Sequence, residues 1–213
     1  MKKKFTLILA IIALLSISFA ARADETEELK EKEYQFRGYK WLASYREIKL
    51  NEYQSGMVLG VDYDTFDTED EKSFFVKTSV AGLDANARFL FNDDWQLTMG
   101  MYEITTTHET PKDYYADYIT LQQSLRSLYD DPIETSSFGF DGVDMSNTAD
   151  VISTFMNSGG LMWEIWCSSD DSGIVLLCYA SEGVIRPALF YAQNVSDISE
   201  MMTKYATPNT NGL

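Results

Sequence analysis

The chain has 213 residues, of which 33 are acidic and 17 basic, giving a formal net charge of −16. This acidity repels nucleic acid and anionic lipid surfaces, so neither is an expected partner. Because 45% of the residues are apolar and 14% are aromatic, the chain can form a packed core, and its length predicts one domain rather than a disordered segment.

Residues 1–23 have the three parts of a secretory signal peptide. A basic cluster, Lys2–Lys4, precedes an apolar run from Phe5 to Ala20 and a small-residue exit at residues 21–23. The run has about 16 residues, whereas a spanning helix needs roughly 20, so cleavage is favoured over a retained membrane anchor. Cleavage removes four of the 17 basic side chains and no acidic one. The expected location is therefore secreted or periplasmic, with no membrane span after cleavage.

After the signal peptide, residues 24–33 form a charged leader, residues 34–206 a single domain and residues 207–213 a polar tail. The domain opens with a segment predicted to be extended, residues 34–41. Ser44 and Glu47 then have the spacing of a capping box, which predicts a short helix that ends before Gly56.

From Met57 to about Thr106, apolar and polar residues alternate as in half-buried antiparallel strands. Asn92–Asp94 is the turn between two of these strands. The apolar positions are Phe74, Val76, Val80, Ala87, Phe89, Phe91, Trp95, Leu97, Met99 and Met101.

A second helix is predicted from Thr110 at the cap, Pro111 at the first helical position and Asp113 in the first turn, with a stop before Pro132. Its apolar stripe is expected to pack on the sheet. The stripe consists of Tyr114, Tyr118, Leu121, Leu125 and Leu128.

A looser stretch, residues 134–160, contains a short predicted helix near residues 150–156. Three strands and a last short helix follow, at 161–168, 174–180, 184–192 and 197–205. The order predicts an α+β fold in which helices pack on an antiparallel sheet, with two helix-plus-sheet pseudo-repeats at about 34–108 and 109–206.

Two motifs carry a resemblance. Residues 36–47 (FRGYKWLASYRE) and 125–132 (LRSLYDDP) resemble motifs of a group of uncharacterised secreted bacterial proteins, although Leu42 and Asp130 stand where those proteins have glycine. The helix-plus-sheet order is also similar to the beta-lactamase inhibitor protein and to the small lipoprotein of the outer-membrane barrel-assembly machinery. The resemblance implies a sandwich of that kind and protein binding through a sheet face.

Cys167 and Cys178 are the only cysteines of the chain and flank a predicted hairpin. A two-residue turn at Ser172–Gly173 would place them opposite each other, within disulfide range. A four-residue loop from Asp170 would instead oppose Cys167 to Leu176. A disulfide and two buried thiols both remain open at this point.

Motifs for catalysis and metal binding are weak. His108 is the only histidine, and its place just before a proline-started helix predicts a solvated loop residue, whereas a pocket shared with an acid would favour catalysis. One histidine and two cysteines cannot form a structural zinc site, and the acidic runs at residues 62–71 and 141–144 do not fit a calcium loop. No cofactor or metal is expected.

The remaining candidates are polar and aromatic side chains on strand faces. If Leu161, Trp163, Ile165 and Cys167 face the core, then Glu164 and Trp166 face outward, and Tyr102 is similarly placed. Trp166, Tyr102 and Glu164 are therefore the predicted binding residues. The favoured function is an exported, non-enzymatic binding protein with a protein or cell-envelope partner. The alternative is a secreted hydrolase of glycoside type that uses two carboxylates.

Overall fold

The computed structural model describes residues 34–55, 72–181 and 183–198. Several predicted segments lie outside the described residues. They are the signal peptide, the charged leader, the start of the first strand region with its acidic turn, the end of the last helix, and the polar tail.

Within the described part of the chain, seven antiparallel strands form one sheet, in the order β1-β2-β3-β7-β6-β5-β4. The strands β1 to β7 span Ser73–Val80, Leu83–Phe91, Leu97–Ile104, Glu134–Phe138, Leu161–Cys167, Gly173–Ser181 and Val184–Ala192. Strands β1–β3 and β4–β7 come from the two halves of the chain and meet where β3 pairs with β7. The predicted α+β class with an antiparallel sheet is confirmed.

Three helices whose full length lies within the described residues, α1 (Tyr45–Ser55), α2 (Pro111–Tyr129) and α3 (Thr148–Ser158), accompany the sheet. All three contribute buried side chains to one large apolar cluster, and we call the sheet surface beneath them the helix face. Large members of this cluster are Phe36, Ile48, Phe74, Phe89, Tyr118, Leu121, Phe155, Trp166 and Leu176.

Helix α2 begins as predicted. The Thr110 side chain accepts a hydrogen bond from the Asp113 amide, and Pro111 is the first helical residue. Its buried stripe differs from the prediction at both ends. Tyr115 is buried rather than Tyr114, and Leu128 is 71% exposed, because Tyr129, four residues after Leu125, turns toward the core instead.

A second apolar cluster lies on the other side of the sheet, which we call the opposite face. Its buried strand residues are Met99, Met101, Leu161, Trp163, Ile165, Cys167, Val175, Leu177, Ala188, Phe190 and Ala192. The prediction that Leu97 shares a face with Met99 and Met101 is wrong. Leu90 pairs with Met99 and Phe91 with Leu97, so Thr98 is an extra residue that bulges β3 and turns Leu97 to the helix face.

Two local predictions are corrected. Residues 34–41 are not extended, because Arg37 and Gly38 adopt positive φ and fold the segment into a turn closed by a bridge between Phe36 and Tyr39. The stretch after Pro132, predicted to be loose, contains a strand, β4. Its polar sequence, ETSSF, lacks the apolar alternation by which strands are predicted. This edge strand forms because it pairs with the apolar β5.

Candidate binding surface

The three predicted binding residues all lie on the helix face. Trp166 and Glu164 are each 1% exposed, so the expectation that they face outward is wrong. The Trp166 indole Nε1 donates to the Asp130 carbonyl at 3.0 Å beneath the end of α2. All seven residues of β5 are buried, because the strand has apolar layers on both sides. Alternation along one strand cannot reveal this second layer.

Glu164 connects β5 to α2. Its Oε1 accepts from Gln122 Nε2 at 2.8 Å and from Arg126 Nη2 at 2.7 Å. The hydrogen bond to Glu164 raises the pKa of Arg126 above its ordinary value. Oε2 is buried and has no hydrogen-bond partner among the described residues. Removal of Arg126 would therefore leave a buried carboxylate poorly compensated.

Tyr102 packs in an aromatic layer rather than on an open face. Its ring lies 5.1 Å from that of Phe36 and 6.1 Å from that of Tyr191. Burial raises the pKa of Tyr102, and the nearby Arg37 charge opposes that shift. Phe36 fits here because the sheet has glycine at position 100, where a Cβ atom would come within 2.1 Å of the Phe36 ring.

Arg37 fastens the N-terminal turn to α1. Its Nε and Nη2 donate to the two carboxylate oxygens of Glu52, each at 2.9 Å. Glu52 is 2% exposed, so this bidentate pair is largely removed from water. The position of α1 against the sheet therefore depends on one ion pair as well as on apolar packing.

The two cysteines form no disulfide with each other. Cys167 pairs with Gly173 and Cys178 with Met162, so neither predicted turn is present and a five-residue loop separates the strands. Cys167 belongs to the cluster of the opposite face and Cys178 to that of the helix face. Both are buried thiols, and burial raises the pKa of Cys178.

His108 is not the solvated residue that the sequence predicts. It is half-buried, and its Nε2 lies 2.8 Å from Oδ2 of Asp117, a buried residue of α2. The Tyr114 ring packs edge-on against the imidazole at 4.9 Å. No described residue hydrogen-bonds Nδ1, and neither of the two surface concavities described below includes His108. The arrangement orients the ring and fixes the loop to α2.

Exposed apolar side chains gather around α1 and the β2–β3 turn. We call this region the α1 surface and define it by Leu42, Leu50, Tyr53 and Trp95, which are 45%, 53%, 64% and 42% exposed. Two contacts bring its parts together. The Leu42 amide donates to the Leu97 carbonyl at 2.9 Å, and the rings of Tyr45 and Trp95 lie 4.9 Å apart.

Two shallow concavities flank the first turns of α1. The larger, of about 530 Å³, is lined by residues that include Trp41, Leu42, Glu47 and Asn51. The smaller, of about 290 Å³, is lined by Ser44, Tyr45, Arg46, Asp94 and Trp95. Each concavity has one carboxylate, from Glu47 or Asp94. The helix between them is capped as the sequence predicts, because the Ser44 hydroxyl accepts from the Glu47 amide.

Two of the exposed residues are held in a strained backbone conformation. Leu42 has φ 66° and Trp95 has φ 58°, a region that bulky side chains rarely adopt. Trp95 follows the Asn92–Asp94 turn at the position where glycine most often ends such a hairpin turn. The sequence patterns did not predict either residue as part of a binding surface. The available signals were a leucine in place of the motif's glycine and a tryptophan directly after a turn.

The α1 surface carries charges of both signs, with the exposed carboxylates of Glu47, Asp93 and Asp94 beside its basic side chains. Four basic side chains surround it, and two of them lie over aromatic rings, Lys49 at 4.9 Å from Tyr45 and Lys72 at 5.4 Å from Trp95. Lys40 and Arg46 line the larger and the smaller concavity, respectively.

Among the described residues, no group of three or more histidine, cysteine, aspartate or glutamate side chains is arranged to hold a metal ion. No described helix is long and apolar enough to cross a membrane.

Comparisons with known proteins do not identify a family for this chain. No protein-family model matches the chain, and no curated protein matches it significantly. Among solved structures, a "putative adenylate cyclase" from Bacillus halodurans aligns over 84% of this chain and 87% of its own, with 12% identity and a TM-score of 0.18. That TM-score supports no argument about this chain.

Proposed function

We propose that this chain is an exported, non-enzymatic binding protein that docks a protein partner on the α1 surface. The observation that carries the proposal is the pair of exposed, bulky residues at positive φ, Leu42 and Trp95. Strain of this kind costs about 1–2 kcal/mol per residue and persists where the side chain serves a purpose. Neither Leu42 nor Trp95 is buried in the core, so core packing does not explain the strain.

The composition of the α1 surface supports a protein partner. Tryptophan, tyrosine and arginine dominate the binding energy of protein interfaces. Trp95 and Arg46 line one concavity here, and the exposed Tyr53 lies further along α1. The sheet-face docking that the resemblance implies is less favourable. The helix face is filled by three helices, and the strand residues of the second cluster are buried.

A glycine substitution separates function from folding. We expect Leu42→Gly to keep the free energy of unfolding within about 1 kcal/mol of the wild type or to raise it, because glycine adopts positive φ freely. The same variant should lose binding, since the apolar side chain is gone. The measurement is urea unfolding combined with capture of a partner from the host's own envelope and secretome on immobilised mature chain.

The matched control is Leu128→Ala. Alanine is used there because glycine would destabilise α2. Leu128 is an equally apolar, more exposed residue away from the α1 surface. A specific partner should be retained by Leu128→Ala and by wild type and lost by Leu42→Gly and Tyr53→Ala. Equal capture by all four chains would reject the α1 surface as the docking site.

One observation favours a second candidate, catalysis. The His108–Asp117 hydrogen bond has the form of a base with its orienting acid. A carboxylate-dependent glycoside hydrolase is less supported at the concavities, since each presents one carboxylate and such enzymes use two. Hydrolysis of a polysaccharide or peptide by the mature chain, abolished by His108→Ala while folding is kept, would establish an enzyme in place of the binding protein.

A further inference from the structure

Trp41 differs from the other buried tryptophans of this chain. The indole Nε1 of Trp163 donates to Glu134 Oε1 at 3.2 Å, and that of Trp166 donates to a main-chain carbonyl at 3.0 Å. Trp41 is 9% exposed, yet its buried Nε1 has no hydrogen-bond partner among the described residues. A buried indole N–H without an acceptor is unfavourable, because the group has lost its hydrogen bond to water. The donor therefore requires an acceptor that the described part of the chain does not supply.

Trp41 lines the larger concavity of the α1 surface, the one of about 530 Å³. Its ring is anchored, since Trp41 belongs to the apolar cluster of the helix face. The residues before and after it, Lys40 and Leu42, line the same concavity and are exposed. Because Nε1 is shielded from water, an acceptor reaches it where one of these two exposed side chains moves aside. That movement disturbs no core packing, since neither side chain belongs to a buried cluster.

The other side chains of the concavity indicate which acceptor fits. Glu47 and Asn51 are one helical turn apart on α1, and both are exposed and line the concavity. They place acceptor oxygens beside the Trp41 donor. A peptide group, which has one acceptor and one donor, matches this arrangement. An anion has acceptors only, and although Lys40 would attract it, the Glu47 carboxylate and the net charge of −16 oppose it.

We propose that the larger concavity binds an extended main-chain segment of the protein partner, whose peptide carbonyl accepts a hydrogen bond from Trp41 Nε1. This inference rests on the proposed function, because it names the part of a protein partner that the α1 surface recognises. The turn at Leu42 then has two roles, since it exposes an apolar side chain and lies directly after the residue that supplies the buried donor.

Nitrogen-15 NMR of the indole groups in the full mature chain tests the proposal. The probe is a blocked dipeptide, N-acetyl-alanyl-alanine N-methylamide, and acetate and glucose are the comparison solutes. The Trp41 indole proton should shift downfield saturably with the dipeptide, because it gains an acceptor. The Trp163 and Trp166 resonances should keep their positions, since these donors already have acceptors. Trp41→Phe identifies the Trp41 resonance by its loss.

Three NMR results would overturn the proposal. If the Trp41 proton is already downfield in the free chain and no solute moves it, another part of the chain supplies the acceptor. If no solute moves an upfield Trp41 proton, the concavity takes no peptide group. A saturable shift with acetate or glucose, and none with the dipeptide, would assign the concavity to an anion or a sugar.

A partner-binding measurement separates this inference from the proposed function. For a protein that wild type captures and Leu42→Gly loses, Trp41→Phe should weaken the affinity about tenfold, because one hydrogen bond is lost. Trp166→Phe is the matched control and should leave the affinity unchanged, since its indole donates within the chain. Urea unfolding checks that both variants fold. Unchanged affinity in Trp41→Phe would refute the main-chain subsite and leave the docking site in place, whereas capture by Leu42→Gly would refute the docking site itself.

Discussion

The two halves of the opposite face differ in polarity and in burial. On β5, β6 and β7 it is apolar and buried, which we call the covered half. The part formed by β1, β2 and Glu103 of β3, which we call the open half, carries the exposed Lys77 and Ser79 and the half-buried Arg88. The helix face shows no such division, because α1 covers one side of it and α2 and α3 the other.

The division can be followed along single cross-strand rows. One row of the opposite face runs through Lys77, Asn86, Glu103, Ala188, Leu177, Trp163 and Ser136. Its residues are polar on β1, β2 and β3 and apolar on β7, β6 and β5, with the polar Ser136 at the edge, so the change falls where β3 meets β7, the junction between the two halves of the chain. Along this row, the strands of the first half of the chain therefore contribute polar side chains to the opposite face, and β5 to β7 of the second half contribute apolar ones.

The largest expected effect is alkaline unfolding, which tests the helix face. Burial raises the pKa of Tyr34 and of Tyr39 from 10 to about 12, and it also raises the pKa of Tyr118 and Tyr191. The neutral phenols stabilise the fold fully below pH 10, and this contribution is lost as the pH rises through 12. The circular dichroism signal should therefore be lost over the same pH range in which the tyrosinate absorbance at 295 nm rises. Full tyrosinate absorbance in a chain with native circular dichroism would contradict this account.

The next effect compares two ion pairs. Arg37→Ala should lower the free energy of unfolding by about 3–5 kcal/mol, because it leaves the Glu52 carboxylate buried without its partner. Arg88→Ala should cost no more than about 1 kcal/mol, since Glu103 on the open half is 37% exposed. Urea unfolding of both variants measures the difference. Equal losses would mean that the open half is as desolvated as the helix face.

The third effect lies within one cross-strand row. Leu177→Ala, on the covered half, should cost about 2–5 kcal/mol through the cavity it leaves. Lys77→Ala, in the same row on the open half, should change stability by less than about 0.5 kcal/mol. Thermal unfolding of the pair checks this. A small loss in Leu177→Ala would contradict the tight packing of the covered half.

Elements with strong local sequence signals, such as helix caps and apolar runs, were predicted correctly. The cap residues of α2 and the apolar runs of β5 to β7 give the observed boundaries within one or two residues. The polar β4 was missed because its formation depends on β5, and the bulge at Thr98 because pairing rather than alternation produces it. No pattern within β5 could show that helices cover Trp166.

The candidate site was predicted less well than the fold, for a related reason. Trp166, Glu164 and Tyr102 were chosen as the polar side of alternating strands, a choice that assumes one solvated sheet face. Leu42 and Trp95 are exposed because of backbone turns, and hydrophobicity patterns do not encode backbone dihedral angles. The His108–Asp117 contact joins a loop to a helix turn nine residues away and has no motif.

The placement of the two thiols has a consequence for how this chain matures. Cys167 and Cys178 point to opposite sides of the sheet and stand five register positions apart, roughly 17 Å along the strands. A bridge between them requires the hairpin to come apart, since bonded cysteines have Cα atoms less than about 7 Å apart. An oxidised, internally cross-linked form would thus mark misfolded molecules, and mild reductant would rescue yield without altering the native protein.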